Sequence, residues 1–208
     1  MARLFSIRPA ITLRGRRFQG IRGWTGKPSH PPLTDFPIVC YVLAAGCDVV
    51  SLVASGNAPE GGVDAVAHDF FMAATIAIVV GFVVSLATAL TGFLDWWKGI
   101  PRDRSSGPIG TAKHTQVWRT INWHATVMIV VTLLTLLGLV LRVAGFDEGQ
   151  TQLAWLVLSC LAGVLVLFGA AYGGTLVFEY GFNVENIGEV WNVSEEDHVR
   201  PERKKPSA

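Results

Sequence analysis

Residues 153–178 read LAWLVLSCLAGVLVLFGAAYGGTLVF, without one Asp, Glu, Lys or Arg. A helix needs ~20 apolar residues to cross ~30 Å of hydrocarbon at 1.5 Å per residue, and this stretch exceeds that. Three others come close to it: Phe36 to Ser55, Phe70 to Leu94 and Ile121 to Leu141. Half of the 208 residues are hydrophobic and only 16% are charged, so too little polar sequence remains to enclose four such helices in a soluble core. The expected fold is all-α, an integral membrane four-helix bundle with spans at about 36–55, 70–94, 121–141 and 153–178.

The formal net charge of +1 hides a strong asymmetry. Residues 1–35 hold seven Lys and Arg, 56–69 none, 95–120 five, 142–152 one and 179–208 four. Cations mark cytoplasmic loops, so both termini are expected in the cytoplasm (N-in/C-in), with 56–69 and 142–152 outside. Trp96, Trp97, Trp118 and Trp123 cluster where the inner headgroups would lie, and Trp155 near the outer ones. The chain is thus expected to cross a membrane several times. The first apolar stretch begins only at Phe36 and is too long for a signal peptide, so no cleaved leader is expected.

Three regions follow. Residues 1–34 form a basic cytoplasmic arm with a Pro-rich lead-in, 35–184 the transmembrane domain, and 185–208 a cytoplasmic tail with a disordered end. The arm carries seven cations and no acid before Pro28, a composition suited to anionic lipid headgroups. Its charges serve as a topology signal, and no nucleic-acid partner is expected. In "KPSHPPLTDFP" the prolines 28, 31, 32 and 37 predict an extended, interfacial segment, with Pro37 in the first turn of the first span. Cys40, Cys47 and Cys160 all fall in apolar stretches and suggest no disulfide framework.

Polar and small residues fall on helix faces: Ser159, Gly163, Ala170, Gly173 and Gly174 on the fourth span, and His124, Met128, Thr132 and Thr135 on the third. Such faces pack against one another in lipid. Packing does not account for Asp48, since a carboxylate within a span costs ~2.5–3.5 kcal/mol. His68, at the outer start of the second span, is its expected hydrogen-bond partner. A second group is expected at the inner side, where His30, Asp95, His114 and His124 come from four separate segments at similar depth. Neutral imidazoles ligate transition metals or haem iron, and a nearby carboxylate can orient them. No spacing matches a short metal motif. Hydrolase and nucleotide signatures are likewise absent, which disfavours an enzyme and favours a non-catalytic membrane subunit.

Several ordered motifs resemble the bacterial membrane-protein family catalogued as domain of unknown function 2231. They are "HPPLTDFPI", Asp48 in "GCDVV", "TGFLDWWKGIP", His124 and "YGGTLVFEYGFNV", together spanning about 28–184. The resemblance implies a four-helix membrane domain of unestablished activity, located in a bacterial inner membrane. Some relatives resemble fusions to Rieske-type iron–sulfur modules, which implies electron transfer; this chain has no such module. It also carries Met128 where the resemblance implies an Asn. Two functions are expected from different classes. One is an electron-transfer subunit with a redox partner, in which His124 and either His30 or His114 bind a b-type haem near the cytoplasmic face and Asp95 supports them. The other is a cofactor-free scaffold that binds a membrane-protein partner.

Overall fold

The computed structural model describes Ile21 and residues 28–60, 62–99 and 115–184. Four long helices make up nearly all of it: α1 (His30–Ala54), α2 (Ala65–Gly99), α3 (Gln116–Ala144) and α4 (Leu153–Phe178). Short 3₁₀ turns at Ser55–Asn57 and Phe146–Glu148 follow α1 and α3. The four helices reach mean hydropathies of 2.0, 2.5, 2.5 and 2.4 over their most apolar windows, enough in length and composition to cross a membrane. The arm before Ile21, the loop 100–114 with His114, and the tail from 185 lie outside the described residues.

Three helices begin earlier than their apolar cores suggest, two of them because polar residues cap them. The Asp64 carboxylate accepts the Ala67 N–H at 3.0 Å and opens α2 five residues before Phe70. The Thr115 hydroxyl accepts the Trp118 N–H at 3.1 Å and opens α3. The Pro-rich segment, expected to be extended, is helical instead. Pro31 and Pro32 occupy the first turn of α1, where the missing N–H groups would have no intrahelical acceptor anyway.

Pro37 lies inside α1, and its missing N–H frees the carbonyl of Leu33, four residues back. The Thr88 hydroxyl of α2 supplies a replacement at 3.2 Å, sharing its proton with Val84 O at 2.9 Å. A helix can thus run through a buried proline because a neighbouring helix satisfies the orphaned acceptor.

α1 packs closely on α2, α3 on α4, and α1 on α4, whereas α2 and α3 share a sparser seam. Consequently α1 and α3 lie across the diagonal of the bundle. The core combines Tyr41, Val127, Val131, Ala162 and Val166 with a second cluster of Ala44, Ala74 and Ile78. Small residues set the spacing. A Cβ on Gly163 would stand 3.4 Å from Ala45 Cβ and from the Tyr41 carbonyl, and one on Gly81 would stand 2.8 Å from Cys40 Cβ. Gly174, by contrast, faces only Phe178 of its own helix, so it does not join the close-packed face expected of it.

The outer surface is apolar on every helix. Val53, Val83, Val143 and Val164 are each at least 60% exposed. Side chains of this kind around the whole circumference suit a lipid solvent, and the polar residues turn inward.

Candidate functional site

Two polar groups lie near opposite ends of the bundle. Asp48 follows His30 by 18 residues, and Arg142 follows His124 by 18. At 1.5 Å per residue each interval spans about 27 Å, close to the ~30 Å of a hydrocarbon core.

At one end Asp48 and Arg142 form a salt bridge across the α1–α3 diagonal, with both side chains at most 1% exposed. The carboxylate is saturated from two sides: Arg142 Nη2 donates to Oδ2, and the Thr151 hydroxyl donates to Oδ1 at 2.8 Å. Arg142 Nη1 reaches Thr75 Oγ1 at 3.5 Å. The guanidinium carbon also lies 5.8 Å from the Phe71 ring centroid and 5.6 Å from that of Trp155, within cation–π range. Thr151 donates its backbone N–H to Ser51 Oγ at 3.0 Å, and Ser51 Oγ donates to Ala67 O at 2.7 Å. This network ties α1, α2, α3 and the segment preceding α4 into one knot.

Asp48 and His68 therefore do not pair, contrary to the sequence expectation. His68 Nδ1 instead donates to Gly149 O at 3.0 Å. Gly149 has φ +65, a left-handed conformation that suits glycine, and it turns the chain toward Thr151. Arg142 meets the carboxylate because the closed bundle brings α1 and α3 together there, and its charge-assisted hydrogen bond offsets the burial of the anion. Sequence reading placed Arg142 in an outer loop. The signal that marks it is its position: it is the one Lys or Arg outside the three cation-rich segments.

At the other end His30 and His124 approach with ring centroids 6.3 Å apart and planes at 81°. They are held by the same device. His30 Nδ1 donates to Thr88 O at 3.0 Å, and His124 Nδ1 donates to Gly169 O at 2.8 Å. A carbonyl can only accept, so each Nδ1 carries the proton, and in the neutral ring each Nε2 then keeps a lone pair. One helical turn after each accepting carbonyl comes a glycine that leaves room for the ring. A Cβ on Gly92 would meet His30 Cε1 at 2.6 Å, and one on Gly173 would meet His124 Cε1 at 3.2 Å.

The other members of the expected inner group behave differently. Asp95 is 6% exposed, and its Oδ1 has no hydrogen-bond partner among the described residues. Backbone carbonyls, not Asp95, orient the two imidazoles. His114 lies outside the described residues. Among those residues no group of three or more His, Cys, Asp or Glu could hold a metal ion, so this is a two-histidine arrangement. Thr88, Gly92 and Gly169, which position the rings, were not singled out for this in the sequence because their role is to offer a carbonyl or a space.

Four apolar, lipid-compatible helices closed around a buried ion pair and an anchored histidine pair define a multi-pass membrane protein. Residues 26–186 match the family model described as "Predicted membrane protein (DUF2231)", so the chain belongs to that family, as its motifs suggested. Comparison with curated proteins and with solved structures gave no match.

Proposed function

We propose that this protein is a membrane electron-transfer subunit in which His30 and His124 would hold a b-type haem near the cytoplasmic face. The observation that carries the reading is the matched anchoring of the two rings. Each imidazole has Nδ1–H fixed by a helix carbonyl, which leaves Nε2 as the donor atom, the arrangement usual for metal-bound histidine. The two rings stand 6.3 Å apart.

A bundle interior with ligands on facing helices is a common setting for such a cofactor. The group would supply one-electron chemistry; the protein's share is ligand orientation and exclusion of water. His114 is the alternative second ligand by sequence; among the described residues it is His30 whose ring meets that of His124. Orientation with both termini in the cytoplasm of a bacterial cell, and a redox partner on that side, complete the proposal. The positive-inside charge pattern supports the orientation.

A second reading has its own support. The rings already fill the space beside Gly92 and Gly173, so the same two histidines can act as hydrogen-bonded staples in a cofactor-free scaffold. Absorption spectra of protein purified after expression with iron and haem precursor separate the two. A Soret band with about one haem per chain, lost in His30→Ala and in His124→Ala but kept in His68→Ala, is expected. Colourless, haem-free wild-type protein overturns the redox reading and leaves the staple.

A further inference from the structure

His30 and His124 are anchored alike but placed unequally. His124 lies eight residues after Gln116, well inside α3, whereas His30 is the first residue of α1. Helix ends fray, because their terminal N–H groups lack intrahelical acceptors. The start of α1 is poorly fastened from within: Ser29 at its N-cap makes no side-chain capping bond, and Pro31 and Pro32 have no N–H to donate.

A tie from outside the helix meets that need. The Ser29 N–H donates to Ile21 O at 2.9 Å, and the Ile21 N–H donates to the Asp95 carboxylate. Ser29 O in turn accepts the Leu33 N–H at 3.3 Å, which carries the tie into the first turn of α1. Asp95 stands seven residues after Thr88 on α2, about two turns, so it shares a face with the carbonyl that takes His30 Nδ1. α2 thus grips the entry to α1 at two points, one through the ring and one through Ile21.

Burying this carboxylate is costly, since Asp95 is 6% exposed and its Oδ1 has no partner among the described residues. Packing alone would favour an apolar side chain, and the other hairpin has one. Three residues after Gly92 comes Asp95; three after Gly173 comes Leu176, also buried. The carboxylate therefore occurs only in the hairpin whose histidine starts a helix.

We infer that Asp95 is a positioning residue for His30, acting through the Ile21–Ser29 link. Backbone carbonyls hold the two rings, and Asp95 keeps the first turn of α1 where the His30 ring meets its carbonyl. The inference concerns the imidazole itself and stands with or without a bound haem.

The test uses the full chain in nanodiscs with ¹⁵N-labelled histidine and reads solvent exchange of the two Nδ1–H protons. Asp95→Leu, which copies the side chain of the other hairpin, should speed exchange at His30 by about tenfold, the effect of one lost hydrogen bond, and leave His124 unchanged. Asp95→Asn keeps an oxygen for the Ile21 N–H and should restore wild-type exchange. Ile21→Pro removes that N–H from outside the bundle, so it should reproduce the loss at His30 even where Asp95→Leu fails to insert. Equal acceleration at both histidines, no acceleration at His30 in Ile21→Pro, or no rescue by Asp95→Asn overturns the inference.

Discussion

Asp48 and Arg142 occupy equivalent places in two helices, each 18 residues beyond a histidine, and each pair meets across the same α1–α3 diagonal. The two hairpins, α1–α2 and α3–α4, thus present the same histidine anchor at one end and opposite charges at the other. At the ion-pair end, removing one partner strands a charge, whereas removing both does not.

Arg142→Met is accordingly expected to destabilise the bundle by about 3–5 kcal/mol, the usual cost of leaving a buried charge unpaired. The double variant Arg142→Met with Asp48→Leu should lose clearly less than the sum of the two single changes. Equilibrium unfolding in mixed detergent micelles measures this. Additive losses would show that the two side chains contribute separately.

Thr88 and Pro37 should be coupled through a single carbonyl. Thr88→Val removes the hydroxyl that reaches Leu33 O and should cost about 1–3 kcal/mol by leaving that acceptor unpaired. Adding Pro37→Ala restores a backbone N–H to the same carbonyl and should recover much of the loss. A double variant no more stable than Thr88→Val alone would mean that water or lipid already serves Leu33 O.

Gly92→Ala should perturb the histidine end more than Gly173→Ala, because its Cβ would stand 2.6 Å from His30 Cε1 against 3.2 Å from His124 Cε1 for the other. The expected sign is a lower melting temperature for both, larger for Gly92→Ala. If haem is bound, the Soret band should shift or weaken in the same order. Equal, negligible effects would show that the rings move aside freely.

Topology follows from charge and is checked by accessibility. A cysteine introduced at Asn57 should react with an impermeant maleimide added to intact cells, and one at Ser106 should react only after the cells are opened. Labelling at Ser106 in intact cells would reverse the assignment, since the cation count of the loops is the basis for it.

The sequence alone determined the four spans, because hydropathy over a span-length stretch is a local property that lipid reads directly. It also marked Asp48 as a carboxylate that packing leaves unexplained, since a charge in a span demands a partner, and His30 and His124 as candidate ligands at the inner side. The tertiary structure decided who that partner is. Asp48 joins Arg142 rather than His68 because closing the bundle brings α1 and α3 together across its diagonal, a relation that no spacing within one helix records. It decided, too, that α1 runs through Pro37, because only the docking of Thr88 supplies what the proline takes away. The histidine anchors depend on backbone carbonyls, which every residue possesses. What distinguishes Thr88 and Gly169 is that the neighbouring ring arrives there, with a glycine one turn on to admit it.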